Sequence, residues 1–106
     1  MVRMEQIEAL SQQIGREFHP ERIVLFGSYA YGTATEESDV DLLVIVPHQG
    51  KGWRLAGKIR GRVRPQFPLD LLVRSPEQIH ERLRLGDCFM KEITKKGKVL
   101  YESTGR

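Results

Sequence analysis

Residues 22–46 read RIVLFGSYAYGTATEESDVDLLVIV, and this stretch decides how the chain is organised. An apolar run ends at Gly27 and Ser28, a short polar segment follows, and a second apolar run begins at Asp39 and Asp41. Ten residues separate Ser28 from Asp39. The pattern predicts two buried strands, with a glycine-containing turn after the first and two carboxylates at the start of the second.

The sequence on either side predicts helices and strands in alternation. Met4, Ile7 and Leu10 recur at three- and four-residue steps, which indicates an amphipathic helix. Ser75-Pro76 is typical of a helix start, and Asp87 can cap a further helix. The predicted helices span about 3–18, 28–31, 53–64, 76–85 and 88–96, and the predicted strands span 22–26, 39–46, 69–74 and 98–102. This order favours an α+β (α/β) fold in which helices flank one small mixed β-sheet.

The composition of the 106 residues, 40% hydrophobic and 29% charged, is ordinary for a globular protein. We expect one domain over residues 1–106. A net charge of +3 argues only weakly for nucleic acid, and the single cysteine excludes an intrachain disulfide. The sequence shows neither a signal peptide nor an apolar run long enough for a membrane, so we expect a reduced, cytoplasmic protein with no membrane partner.

Three aspartates lie where predicted strands begin. Asp39 and Asp41 are two residues apart, so in a strand they face the same side, and Asp70 has the same place in strand 69–74. Carboxylates this close repel each other unless a cation lies between them, and oxygen ligands suit Mg²⁺. If the two strands are neighbours, three acids can hold two Mg²⁺ ions for a phosphoryl displacement. Asp70 could also accept the proton of the nucleophile.

The turn at Gly27 and Ser28 supplies the other half of such a site. A strand-to-helix turn presents free backbone N–H groups to a phosphate. Glycine lets the phosphate approach the backbone closely, and the Ser28 hydroxyl can add a hydrogen bond. Each motif alone is common in turns and caps, but their combination at strand ends predicts a nucleotide-phosphate site.

The segment LFGSYAYGTATEESDVDLLV resembles the signature of the DNA polymerase β-like nucleotidyltransferase superfamily, with Gly-Ser, ten residues, and then Asp-Val-Asp. The small size resembles the minimal nucleotidyltransferases (MNT), such as the MntA-type antitoxins of HEPN/MNT toxin–antitoxin systems. The resemblance implies a polymerase β-like fold, with Gly27 and Ser28 at the triphosphate of ATP. It also implies that Asp39, Asp41 and Asp70 are the catalytic residues that hold Mg²⁺.

The resemblance further implies a partner and a reaction, namely transfer of AMP from ATP to a tyrosine of a HEPN ribonuclease toxin. Two alternatives stay open: a non-catalytic antitoxin that covers its toxin, and a nucleotidyltransferase that acts on RNA or a small molecule. Tyr31 stands where many relatives carry arginine, which bears on nucleotide affinity and leaves the metal site intact. Tyr31 could either stack on the nucleotide base or pack within the protein.

A basic segment separates Asp41 from Asp70. It contains no acidic residue and six basic ones, Lys51, Arg54, Lys58, Arg60, Arg62 and Arg64. We weigh a solvated helix face equally against attraction of triphosphate, RNA or an acidic partner surface. Only Trp53 is interleaved, so sequence-specific DNA binding is not expected. Cys88, beside Phe89, is expected to be a small core residue.

Overall fold

The computed structural model describes residues 1–103 and confirms the predicted order of elements. The helices are α1 (Met4–Phe18), α2 (Ser28–Tyr31), α3 (Gly52–Val63), α4 (Pro76–Arg84) and α5 (Cys88–Lys96), and the strands are β1 (Arg22–Phe26), β2 (Val40–Ile45), β3 (Leu69–Arg74) and β4 (Lys98–Glu102). Residues 104–106 of the predicted domain lie outside the described part of the chain. Within residues 1–103, no helix is long and apolar enough to cross a membrane.

The four strands form one mixed sheet in the order β3-β2-β1-β4. β1 is antiparallel to both β2 and β4, whereas β2 and β3 are parallel. β2 and β3 are therefore neighbours, which is the condition under which the third aspartate joins the first two. In this register Phe26 of β1, Asp41 of β2 and Asp70 of β3 form one row across the sheet.

Each face of the sheet packs against its own helices. One face, with α1 and α3, buries a cluster that includes Ile7, Ile14, Ile23, Leu25, Leu42, Val44 and Ile59. The other face, with α4 and α5, buries a smaller cluster of Val24, Phe26, Leu43, Ile45, Ile79, Met90 and Ile93. Asp41 alternates with Leu43 and Ile45, so its side chain belongs to the α4–α5 face. The aspartates thus lie at one end of that face.

The starts of α4 and α5 are fixed by the predicted side-chain caps. The Ser75 hydroxyl accepts a hydrogen bond from the Gln78 amide, and the Gln78 side chain accepts one in return from the Ser75 amide. The Asp87 carboxylate accepts a hydrogen bond from the Met90 amide. Such caps stabilise a helix by about 1 kcal/mol each, and here they hold the two helices that cover the aspartate face.

The expectation that Cys88 is a core residue is wrong, because its side chain is exposed. Cys88 is the first residue of α5, and the inward positions of that helix are Met90 and Ile93. Its neighbour Phe89 is also 54% exposed, but one edge of its ring meets Phe26 with 5.8 Å between ring centroids. The short helix therefore faces the sheet with Met90 and Ile93 rather than with Cys88.

Gly97 joins α5 to β4, and here glycine is required by space. Its φ of −70° is open to any residue, so the backbone conformation alone does not require glycine. A Cβ at this position would lie 2.5 Å from the Ile93 carbonyl oxygen and 2.9 Å from that of Leu25. Both contacts are with backbone, which cannot move aside without disturbing α5 and β1.

We predict that Gly97→Ala lowers the free energy of unfolding by about 1–3 kcal/mol, because the added methyl group overpacks the α5–β4 junction. Gly57→Ala is the matched control, since Gly57 lies in α3 with nothing within 4 Å of the added Cβ. It should raise stability by up to about 1 kcal/mol through helix propensity. Urea unfolding measures both; equal effects of the two substitutions would contradict the packing argument.

Candidate active site

The sheet brings the three predicted aspartates together. Asp41 and Asp70 are register partners on the parallel strands β2 and β3, whose backbones run about 4.8 Å apart. Asp39 lies just before β2, two residues from Asp41. Asp39 and Asp70 are exposed, whereas Asp41 is half-buried. The row therefore presents carboxylates at one open end of the sheet.

Gly27 lies directly against the Asp41 side chain. Its backbone has φ +73°, a left-handed conformation that favours glycine. A Cβ at this position would come within 2.1 Å of Asp41 Oδ2. Two independent constraints therefore require glycine here, and both place the turn after β1 beside the central carboxylate. The predicted phosphate turn and the predicted metal ligands are in contact.

The site is electrostatically strained without a cation. Burial, and after it the negative charges of Asp70 and Asp39, raise the pKa of the Asp41 carboxyl above its ordinary value. The charges of Asp70 and Asp39 affect the pKa of Asp41 because both carboxylates lie close to it. A divalent cation, or a proton, would relieve the repulsion.

The three aspartates supply the oxygen ligands that Mg²⁺ prefers, as the resemblance implies, but they do not form a preformed metal site. Among residues 1–103, no group of three or more His, Cys, Asp and Glu side chains is gathered closely enough to hold a metal ion. Mg²⁺ commonly takes only one or two carboxylates and completes its shell with water and substrate phosphate. Three oxygen donors on adjacent strands suit that mode. The assignment of Asp39, Asp41 and Asp70 as metal ligands stays a prediction.

The Gly27–Ser28 turn has the predicted strand-to-helix form. α2 is a single turn, in which the amides of Ala30 and Tyr31 donate to the Gly27 carbonyl. The first amides of a helix have no hydrogen-bond partner within it. In α2 these are the amides of Ser28 and Tyr29. Gly32 ends α2 in the left-handed conformation. The role of Gly27 and Ser28 at a triphosphate is compatible with this geometry and stays a prediction.

Tyr31 has a third role that the sequence did not suggest. Its side chain is 38% exposed and leans back toward the start of α2, as long helical side chains do. Its hydroxyl lies close to the Glu92 carboxylate of α5 and to the Gly27 amide. Burial and the Glu92 charge raise the pKa of Tyr31. Tyr31 thus lies between the phosphate turn and α5.

Glu92 is the site residue that sequence reasoning missed. It lies on the exposed side of α5, in a stretch whose only pattern is that of an amphipathic helix. No motif marks it, because its relation to the site depends on how α5 packs on the sheet. An acid at helical spacing is usually a solvated surface residue.

The structure divides the basic segment into two groups. Arg62 pairs with Glu17 of α1 at 2.9 Å, and the Arg60 guanidinium donates to the Leu69 carbonyl. Lys51, Arg54 and Lys58 instead line a cavity near the start of α3. This cavity adjoins the far end of β2, so the basic segment does not form part of the aspartate site.

Comparison with known proteins gives the chain its family. The model of the nucleotidyltransferase domain matches residues 3–101. A provisionally named protein adenylyltransferase of Methanocaldococcus jannaschii is 69% identical over 29 residues. That match spans 27% of this chain and only 20% of the relative's own length.

Solved structures share the fold. A provisionally assigned nucleotidyltransferase from Sulfolobus solfataricus aligns over 92% of this chain and 78% of its own, with a TM-score of 0.63 and 17% identity. A toxin–antitoxin structure with AMP-PNP aligns over 92% and 74%, with a TM-score of 0.57 and 25% identity. A mutant of the MntA–HpeT toxin–antitoxin aligns over the same shares, with a TM-score of 0.55 and 23% identity. The resemblance and the fold class inferred from the sequence are confirmed.

We predict that Asp41→Asn stabilises the metal-free protein at about pH 7 and loses this advantage at about pH 3. Because its pKa is raised by folding, the Asp41 carboxyl binds a proton more tightly in the folded chain than in the unfolded chain. Wild-type stability therefore falls as the pH rises from the ordinary aspartate value of 3.8 through the higher folded value. Asparagine carries no such charge, so the gap between variant and wild type should widen over that range.

Urea unfolding in the presence of a chelator, at both pH values, measures this gap. Glu36→Gln is the control, because Glu36 is exposed in the loop before β2 and lies outside the aspartate row. Its gap to wild type should be the same at both pH values. An Asp41→Asn gap that does not grow with pH would show that the carboxylates do not repel each other.

Proposed function

This chain belongs to the nucleotidyltransferase domain family, and from that membership we propose that it transfers AMP from ATP to a hydroxyl of a partner protein. The observation that carries the proposal is the contact between the Gly27 turn and Asp41, in a row that also contains Asp70. A phosphate-binding turn and acidic side chains are the two components that nucleotidyl transfer requires from a protein, since catalysis rests on positioning and charge stabilisation.

The residues divide the work between binding and chemistry. The backbone around Gly27 and Ser28 would hold the triphosphate. Because glycine has no side chain, the triphosphate can approach this backbone closely. Asp39, Asp41 and Asp70 would hold Mg²⁺, which when bound neutralises charge on the reacting phosphate. Asp70 is exposed at the edge strand β3, where it can accept the proton of an incoming hydroxyl.

The acceptor that we propose is a tyrosine of a HEPN ribonuclease toxin, so that the protein is a cytoplasmic antitoxin. Two comparisons support a protein acceptor and a toxin partner: the name of the Methanocaldococcus jannaschii relative, and the toxin–antitoxin structures that share the fold. The open end of the sheet supports an acceptor that docks from outside. Both Asp39 and Asp70 are exposed there, within reach of a second molecule.

Intact mass spectrometry tests the reaction. The purified protein is incubated with ATP, Mg²⁺ and the toxin encoded beside it, and the toxin should gain the mass of one AMP group. Peptide mapping should place that group on a tyrosine. A toxin that binds the protein but gains no mass under these conditions would sink the catalytic proposal.

We predict that the double variant Asp39→Asn/Asp41→Asn loses AMP transfer by at least about 100-fold, because it removes two of the three carboxylates proposed to hold Mg²⁺ at the phosphate. The same variant should still fold, since neither carboxylate supports the core. Glu36→Gln, in the adjoining loop, should retain activity. Toxin neutralisation by the double variant would instead favour the second candidate, an antitoxin that acts by covering its toxin.

We predict that Tyr31→Phe lowers KM for ATP about two- to fivefold with little change in kcat. The substitution removes the hydroxyl that lies beside the Gly27 amide, which a phosphate would need. A hydrogen bond from that amide to a phosphate is worth about 0.5–1.5 kcal/mol. Steady-state kinetics measure the effect, and Tyr101→Phe on β4 serves as the control for loss of a hydroxyl. A raised KM would identify the Tyr31 hydroxyl as a phosphate ligand.

A further inference from the structure

A cavity of about 640 Å³ lies at the opposite end of β2 from the aspartates. It is bounded by the end of α1, by the loop after β2 and by the first turns of α3, and it is lined by Phe18, Val46, Pro47, Gly50, Leu55 and the polar residues considered below. Its volume is within the range of about 300–1,000 Å³ typical of small-molecule sites. From Asp41 to Val46 the strand rises about 3.3 Å per residue, so the cavity is remote from the candidate active site.

The charge around the cavity is of one sign. Lys51, Arg54 and Lys58 line it, and the lining contains no acidic residue. Within residues 1–103, the ion pairs of this region use Arg62 and Glu17, and none uses the three cavity cations. These cations are therefore available to an anion, unlike Arg60 and Arg62.

The start of α3 adds uncharged donors to the same place. Its N-cap residue, Lys51, makes no side-chain hydrogen bond to the first amides of the helix. A Cβ on Gly52 would lie 2.5 Å from the Val73 carbonyl oxygen, so glycine lets this end of α3 pack closely on β3. The His48 Nδ1 donates to the Val46 carbonyl at 2.9 Å, which orients its ring at the cavity.

The floor of the cavity is apolar. Phe18, Val46 and Leu55 supply it and are buried or half-buried, whereas the three cations are exposed. Trp53 lies next to Arg54, whose guanidinium carbon is 5.4 Å from the centre of the indole ring. A ligand that satisfies both surfaces carries an anionic group and a flat apolar ring. Nucleotides combine these two features.

We propose that this cavity is a second, metal-independent site for a nucleoside phosphate, distinct from the aspartate site. The phosphates would contact Lys51, Arg54, Lys58 and the first amides of α3, and the base would lie on the apolar floor. No metal is needed, because the protein itself supplies the positive charge. The aspartate site is of opposite sign and repels a nucleotide unless a cation is present.

That difference in sign separates the two sites experimentally. Equilibrium dialysis of the whole protein with ATP in excess chelator should show one bound nucleotide, with affinity that falls as salt rises. Trp53 is the only tryptophan and stacks with a cavity cation, so its fluorescence should change with the same affinity. Absence of ATP binding in chelator overturns the proposal and leaves the transferase reaction untouched.

Reversing the charge of one cavity residue tests whether ATP binds in the cavity. Lys58→Glu should weaken metal-free ATP binding about tenfold, since an attraction becomes a repulsion. Lys95→Glu, an equal change of charge at an exposed position of α5, should have little effect. Equal loss in both variants, or no loss in Lys58→Glu with its circular dichroism unchanged, would show that ATP does not bind in the cavity.

Two further ligands identify what the cavity recognises. ATP should bind at least about fivefold more tightly than inorganic triphosphate, because the base adds apolar burial. Equal affinity of the two ligands overturns the assignment to nucleotides. Binding of poly-glutamate alone also overturns it, and would identify the cavity as a contact for an acidic protein segment.

Discussion

The row formed by Phe26, Asp41 and Asp70 is the constraint on which the candidate active site depends. Shifting β2 by one residue would turn Asp41 to the opposite face of the sheet. Because β2 is apolar on both faces, its hydrophobic pattern alone does not fix this register. Asp41 is the one polar residue within β2 and the only one that is partly exposed. It lies at the end of the sheet where Gly27, which has no side chain, leaves space for its carboxylate.

The elements and most of the site could be predicted because their signals are local. Ser75, Asp87 and the prolines mark helix boundaries, and the apolar runs mark strands, whatever surrounds them. The pairing of Asp41 with Asp70 needed one further assumption, that β2 and β3 are neighbours, and the sheet confirms it. The catalytic and metal-binding roles of these residues stay predictions.

The features that the sequence did not predict all depend on tertiary packing. Glu92 lies near Tyr31 only because of how α5 packs on the sheet, and no sequence spacing encodes that proximity. Cys88 is exposed because α5 turns later residues inward. The basic segment likewise reads as one stripe, although the fold engages Arg60 and Arg62 and places Lys51, Arg54 and Lys58 at the cavity.

The unequal size of the two buried clusters implies an unequal resistance to opening. Within residues 1–103, the hydrophobic cluster of the α1–α3 face contains fifteen buried residues and that of the α4–α5 face contains seven. Of these seven, only Ile79, Met90 and Ile93 come from the helices. Local stability follows the apolar contacts that an element makes. The α4–α5 layer is therefore the segment that can detach at the lowest free energy, and its amides should exchange with solvent before those of α1. Such detachment would carry Glu92 away from Tyr31 while the sheet and its row of aspartates stay folded.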